Sequence, residues 1–203
     1  MRLALFIIVI GFALVARAAE LTSDQVQKSI ELGKKYLYSQ QKPDGTWENA
    51  PAPKEVSAPN NSINETQWGG QTAMAVYALL SCDEKPNDPK LARAIDFLHN
   101  KPVTGTYAVA LKCLVWLHLP PTPEVKRSMN RDARLLGQLV ERHKKDNLPV
   151  WDYAQSPRYE YSLSRTQYAT LGLWAGSEMD IELPAAVWRQ IELTWEKSQT
   201  SEG

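Results

Sequence analysis

Several residue types are scarce in this chain of 203 residues, and each scarcity excludes a class of protein. Two cysteines are too few for a disulfide-stabilised scaffold. The 23 basic residues only equal the 23 acidic ones, so we expect no nucleic-acid partner. The 13 prolines and 10 glycines are dispersed, which argues against a disordered or collagen-like chain. Three phenylalanines stand against seven tryptophans and eight tyrosines, whose polar tips suit joints between elements.

A long apolar run occurs once, at the N-terminus. Residues 3–15 are almost uninterruptedly apolar, follow Arg2 and precede the small residues Ala16 and Ala18. The run is shorter than the roughly 20 residues that cross a bilayer. A basic start, an apolar centre and a small-residue exit are typical of a secretory signal. We therefore predict a signal peptide over 1–18 and an exported (periplasmic or secreted) domain over 19–203 with no stable membrane span; an uncleaved anchor is the alternative.

Export would place Cys82 and Cys113 in an oxidising compartment, where thiols can pair. Both residues fall in predicted helices. They can pair only if those two helices touch, and we favour two separate thiols.

The chain after the signal shows the periodicity of one helix after another. Thr22 and Gln25 have the spacing of a capping box and open the first helix. The predicted helices are 22–41, 66–81, 88–100, 106–119, 122–145, 162–179 and 184–198, with a long loop over 49–64. No run alternates with period two for long enough to make a sheet. We predict an all-α fold.

Two kinds of helix alternate along the chain. The second and fourth predicted helices are apolar nearly all round and the sixth is apolar-rich, whereas the others are amphipathic. A helix that is apolar on every side is buried on every side, and an amphipathic helix faces solvent. The alternation predicts an inner and an outer layer of helices, connected as stacked hairpins.

Turns that combine Gly or Pro with an aromatic residue precede the predicted inner helices. They are Asp44-Gly45-Thr46-Trp47, Thr104-Gly105-Thr106-Tyr107 and Leu148-Pro149-Val150-Trp151. A turn that recurs before successive helices in this way indicates a solenoid or ring of repeats, in which each unit buries its face on its neighbour. The residues interpreted as structural parts of the repeat are Gln41, Asp44, Gly45, Trp47, Gly105 and Tyr107.

The segment from Gln40 to Trp47 resembles the Gln-to-Trp repeat motif of squalene and hopene cyclases, and 71–79 is similar to the inner helix that goes with it. The stretch 164–175 also resembles prenyltransferase and squalene-cyclase-type repeats of exported bacterial proteins. The resemblance covers most of 23–199. It implies an α/α toroid, a barrel of two concentric helical layers. A closed toroid needs more hairpins than seven helices supply, so we expect an incomplete ring.

The catalytic groups of that family have no counterpart in this sequence. Its cyclases use an Asp-x-Asp-Asp acid cluster, and the nearest sequence is Asp180-Ile181-Glu182 in a predicted loop. No zinc-ligand spacing is found among Cys82, Cys113, His99, His118 and His143. We predict no catalytic residue, no metal site and no cofactor.

One group of residues has the chemistry to bind a ligand. Loops that enter inner helices lie at one mouth of a toroid, where aromatic faces beside Asp, Arg and Gln suit stacking on a sugar or lining an apolar cavity. The alternative is that the aromatic residues only wedge the repeats together and the charges pair locally. The predicted ligand-binding residues are Trp68, Gln71, Trp151, Asp152, Tyr153, Arg165 and Gln167.

Three functions remain open at this point. We favour an exported, non-catalytic repeat module that binds a ligand or a protein partner. The alternatives are a terpenoid cyclase-like enzyme and a polysaccharide-active toroid, each with its catalytic half missing from this sequence. An open ring would leave an apolar edge after the last helix. We therefore expect either a longer protein or self-association through that edge.

Overall fold

The computed structural model describes residues 22–54, 63–145, 147–153 and 162–199. The predicted signal peptide, 1–18, lies outside these residues, as does part of the predicted loop. The described part contains seven helices of twelve or more residues, one single-turn helix and a two-stranded sheet of three-residue strands. The mostly helical character predicted from the sequence is confirmed.

The helices and strands are numbered in chain order. They are α1 (Ser23–Gln40), α2 (Ile63–Thr66), α3 (Gly70–Ser81), α4 (Pro89–Asn100), α5 (Thr106–Leu117), α6 (Pro123–Gln138), β1 (Val140–Arg142), β2 (Pro149–Trp151), α7 (Leu163–Ser177) and α8 (Ala185–Ser198). No helix in the described ranges is long and apolar enough to cross a lipid bilayer.

Polar side chains fix where the helices begin. The Thr22 hydroxyl accepts a hydrogen bond from the Gln25 amide at 3.2 Å, and the Gln25 side chain accepts one from the Thr22 amide at 2.9 Å. This is the predicted capping box. Asp88 and Ser162 cap α4 and α7 with their side-chain oxygens. Such caps satisfy amide groups that have no partner inside the helix.

The predicted helix 122–145 is wrong at its C-terminal end. α6 ends at Gln138, and β1 pairs antiparallel with β2, with Val140 opposite Trp151. All three residues of β2 are buried, and this strand packs against both α7 and α8. Residues 141–145 have a composition that favours a helix. Pairing with the buried strand β2 nevertheless makes β1 extended. Strands of three residues are too short to show an alternating pattern in the sequence.

The three helices that the sequence predicts to be the more apolar ones pack on one another. α3 contacts α5, and α5 contacts α7. α4 packs on α3, and α6 packs on both α5 and α7. Ten of the twelve residues of α5 are buried, whereas none of α1 is. α5 is therefore the centre of the described structure.

The turn between α1 and α3 contains the Gln-to-Trp motif. Gly45 has φ +87°, a left-handed conformation that glycine adopts without strain. The Asp44 carboxylate accepts a hydrogen bond from the Thr46 amide at 3.0 Å, which lowers the pKa of Asp44 below its usual value. The Gln41 side chain donates to the carbonyls of Gly45 and Lys90, at 3.0 and 2.9 Å. Gln41 thereby fastens this turn to the start of α4.

Trp47 joins α1 to α3. Its indole Nε1 donates a hydrogen bond to the Leu37 carbonyl in the last turn of α1, at 2.7 Å. Its backbone amide donates to the Thr72 hydroxyl of α3 at 3.1 Å. One residue therefore satisfies an exposed end of one helix and contacts the first turn of the next.

Trp151 makes the same pair of contacts between α6 and α7. Its indole Nε1 donates to the Leu136 carbonyl at 2.9 Å, and its amide donates to the Thr166 hydroxyl at 3.4 Å. Trp47 and Trp151 are thus structurally equivalent joints.

An ion pair is buried between α5 and α6. The Lys112 ammonium lies 3.2 Å from the Asp132 carboxylate, and their side chains are 1% and 2% exposed. The same carboxylate accepts hydrogen bonds from the Trp116 indole at 2.7 Å and from the Arg131 guanidinium at 2.8 Å. Burial lowers the pKa of Lys112, and the charge of Asp132 opposes that shift. The pair fixes α6 against the central helix.

Replacing Asp132 with Asn should lower the free energy of unfolding by about 3 kcal/mol, because the Lys112 ammonium then loses its buried counter-charge. Urea denaturation measures this value. Asp180→Asn is the control, since its carboxylate is 92% exposed and lies 3.8 Å from Lys126. The control should change stability by less than about 0.5 kcal/mol. An equal effect of the two substitutions would contradict a structural role for the buried pair.

Candidate functional site

Four of the predicted ligand-binding residues meet where β2 ends and α7 begins. The Asp152 carboxylate pairs with the Arg165 guanidinium at 3.0 Å, and these side chains are 1% and 6% exposed. The Arg165 guanidinium lies over the Tyr153 ring, 4.2 Å from its centroid. Trp151, 1% exposed, lies in the joint between α6 and α7. Asp152 and Arg165 compensate each other's charge and hold the Tyr153 ring in place.

Two further tyrosines among the described residues lie on this surface. The Tyr107 ring meets the Tyr168 ring edge to face at 5.0 Å between centroids and lies 6.0 Å from the Tyr153 ring. The Tyr107 hydroxyl is hydrogen-bonded to the Ser164 hydroxyl at 2.8 Å. We call Tyr107, Tyr153 and Tyr168 the tyrosine cluster. All three side chains are half-buried, so their rings are held by the protein and still reach solvent.

Gln67 connects the cluster to the start of α5. Its side-chain oxygen accepts hydrogen bonds from the amides of Tyr107 and Ala108 at 3.1 and 3.2 Å. Its side-chain nitrogen donates to the Tyr153 carbonyl at 2.7 Å. Sequence reasoning missed Gln67 because the backbone groups that it holds lie 40 or more positions away in the chain. No local pattern marks such a capping residue.

Gly105 is required by close packing at this place. A Cβ on Gly105 would lie 2.3 Å from the Thr66 carbonyl oxygen and 2.2 Å from the Gln67 side-chain nitrogen. Its φ is −79°, unlike the left-handed Gly45. Tyr107 lies inside α5 and points to the cluster, whereas Trp47 lies in a turn before its helix. The second turn of the predicted repeat is therefore not equivalent to the first.

Of the other predicted ligand-binding residues, Trp68 and Gln71 contact other parts of the chain, and Gln167 immediately precedes Tyr168 on α7. The Trp68 ring packs edge to face on Phe97 of α4, with 5.2 Å between centroids. Gln71 is exposed and accepts a hydrogen bond from the Asn49 amide at 2.7 Å. Gln167 is exposed on α7. The structure therefore brings four of the seven predicted residues together, namely Trp151, Asp152, Tyr153 and Arg165.

Among the residues that the structure describes, metal ligands and thiols do not contribute to this surface. In the described ranges, no three His, Cys, Asp or Glu side chains are arranged to hold a metal ion. Cys82 and Cys113 are both free, and burial raises the pKa of the Cys113 thiol. The tyrosine cluster instead offers ring faces and neutral hydrogen-bonding groups.

Comparisons with protein-family models, with curated proteins and with solved structures found no match to this chain. Its function is therefore inferred from the site itself: a half-buried aromatic surface on a mostly helical protein.

Substituting Gly105 by Ala should lower the free energy of unfolding by about 1–3 kcal/mol, because the added methyl group would collide with backbone and side chain. Gly33→Ala is the matched control, since nothing lies within 4 Å of the added Cβ in the middle of α1. That change should raise stability by about 0.5–1 kcal/mol. Thermal or urea unfolding of both variants gives the comparison. A Gly105→Ala protein as stable as wild type would contradict the tight approach of Gln67.

Proposed function

We propose that this chain is an exported helical-repeat domain of the prenyltransferase and squalene-cyclase type, acting as a non-catalytic module that binds neutral saccharides. In this proposal, α3, α5 and α7 belong to the inner layer of an incomplete α/α toroid. The signal peptide over 1–18 directs export. The tyrosine cluster is the observation that carries the proposal.

The chemistry of the cluster favours an uncharged ligand with both apolar and hydroxyl surfaces. Half-buried tyrosine rings provide apolar faces and edges for the C–H surface of a sugar ring. The hydroxyls of Tyr107 and Ser164 can donate and accept hydrogen bonds, as can the exposed amide of Gln167. The charged pair beneath them, Asp152 and Arg165, is buried and mutually compensated. A neutral saccharide combines these properties.

Leu171, 36% exposed on α7, extends the apolar surface of the cluster. It lies three positions after Tyr168, and residues three apart are neighbours on a helix surface. It therefore gives a ligand longer than one sugar a further apolar contact. We also propose that copies of the chain associate through the open edge that the incomplete ring leaves after its last helix.

Isothermal titration calorimetry with neutral gluco-, manno-, xylo- and N-acetylglucosamine tetrasaccharides tests this proposal. Replacing Tyr168 by Ala should weaken binding of the best ligand by about tenfold, since one ring contact is lost. Tyr36→Ala is the matched control, because Tyr36 is 64% exposed on α1. The control should bind like wild type.

Two outcomes would overturn the proposal. Either no saccharide in the set binds more tightly than about 1 mM, or Tyr36→Ala weakens binding as much as Tyr168→Ala. Release of shortened saccharides during the titration would instead indicate the polysaccharide-active alternative.

A further inference from the structure

A groove of about 500 Å³ lies between α6 and the segment 180–183, which follows α7. Its size is within the range of small-molecule sites. α6 contributes Asn130, Arg134 and Gly137 to one side, and residues 180–183 form the other side. We call it the α6 groove. None of the three tyrosines of the cluster lines it.

Gly137 keeps the groove open. A Cβ built on Gly137 would meet no heavy atom within 4 Å, whereas a Cβ on Gly172 of α7 would lie 2.5 Å from the Leu136 side chain. Glycine is unfavourable within a helix, and no neighbour among the described residues requires it at position 137. The missing side chain therefore leaves room beside Arg134, which lies three positions away on the same helix surface.

The two sides of the groove carry opposite charges. On α6, the exposed Arg134 guanidinium donates a hydrogen bond through Nε to the Asn130 side chain at 2.9 Å, which uses only one of its N–H groups. On the other side, the Glu182 carboxylate is exposed, and the Asp180 carboxylate lies 3.8 Å from Lys126. Among the described residues, no ion pair joins Arg134 to either carboxylate. The opposite charges therefore stand apart across the groove.

Apolar side chains line the same groove, namely Leu173 of α7 and the half-buried Ile181 and Leu183. A ligand with one sign of charge would meet attraction on one side and repulsion on the other. A ligand with an ammonium group, an apolar body and a carboxylate group complements both sides. A short peptide of apolar residues has this composition.

The length of the groove indicates how many residues such a peptide has. The α6 residues that line it extend from Asn130 to Gly137, which is about 10 Å along the helix axis at about 1.5 Å per residue. An extended chain advances by about 3.3–3.6 Å per residue. The groove therefore suits a dipeptide or a tripeptide better than a single amino acid.

We infer that the α6 groove binds a dipeptide or tripeptide with apolar side chains and free termini, whose carboxylate pairs with Arg134 and whose ammonium group pairs with Glu182. The peptide's side chains then contact Ile181 and Leu183. This inference uses neither the side chains nor the ligand class of the proposed function, so the two can fail separately.

Nuclear magnetic resonance of ¹⁵N-labelled protein, titrated with leucyl-leucine and leucyl-alanyl-leucine, tests this inference. The amide signals of Ala133 and Leu183, which line the groove, should move and saturate. The Gly33 amide on α1 should stay in place. Acetylating the peptide's ammonium group or amidating its carboxylate should each weaken binding by about fivefold, because one ion pair is lost.

Charge variants assign each end of the peptide. Arg134→Gln should weaken binding of the free peptide by about fivefold and leave binding of the amidated peptide unchanged, because that peptide has no carboxylate to lose. Glu182→Gln should behave in the same way toward the acetylated peptide. Arg127→Gln is the matched control, since Arg127 is exposed on α6 and does not line the groove.

Filling the groove should abolish binding without harming the fold. Gly137→Leu places a side chain in the open space and should weaken binding by at least about tenfold. Gly33→Leu is the matched control, because nothing lies within 4 Å of a Cβ at either position. Leucine favours a helix more than glycine does, so both variants should unfold at or above the wild-type temperature.

Three outcomes would overturn the inference. The first is that neither peptide moves the Ala133 and Leu183 signals at about 10 mM. The second is that Gly137→Leu binds as tightly as Gly33→Leu. The third is that Tyr168→Ala removes the shifts, because the peptide would then occupy the tyrosine cluster. Saturating shifts in a protein that binds no saccharide would support the α6 groove and not the proposed function.

Discussion

The structure depends on one constraint: α5 is buried almost all round, so its polar groups must find partners inside the protein. Gln67 accepts hydrogen bonds from two amides of its first turn, and the Thr106 amide donates to the Tyr153 carbonyl at 2.9 Å. Further along the helix, Lys112 and Trp116 both contact the Asp132 carboxylate. These partners come from three separate parts of the chain, and each is positioned by the need to satisfy α5. The same hydrogen bonds assemble the tyrosine cluster, because Tyr107 lies in the first turn of α5 and Gln67 holds the backbone of Tyr153. A surface held in this way loses little conformational entropy when a ligand binds.

Much of the helical architecture could be predicted from the sequence, because its signals are local. Thr22 and Ser162 mark helix starts through side chains that cap the following amides, and the apolar composition of α5 predicts its burial. Local sequence patterns fail to predict the structure where contacts between residues far apart in the chain determine it. Nothing in 139–145 indicates that a buried strand later in the chain will pair with it. A lysine in a helix usually faces solvent, so Lys112 gives no sign of its buried partner Asp132.

The candidate site could be predicted only in part, for a similar reason. Trp151, Asp152 and Tyr153 are neighbours in sequence and lead into the helix that carries Arg165, so their proximity follows from chain order. The alternation of helix types predicts that α5 and α7 lie in one layer, but it does not reveal which side chain in the first turn of α5 meets α7, so the sequence indicates Tyr107 only as part of the repeat. The sequence places Trp68 with these residues because it also precedes an apolar helix. In the structure, its ring instead turns toward α4 and packs on Phe97.

Amide hydrogen exchange at Tyr107 and Ala108 tests the central role of α5 most directly. In the wild-type protein, these two amides should exchange as slowly as the amide of Val115 further along the helix, because both are hydrogen-bonded to the side chain of Gln67. In Gln67→Ala, they should exchange about tenfold faster relative to Val115, as expected for the loss of one hydrogen-bonded cap. If the Tyr107 and Ala108 amides exchange at the same rates relative to Val115 in the wild type and in Gln67→Ala, the view that the hydrogen bonds to α5 organise the site is contradicted.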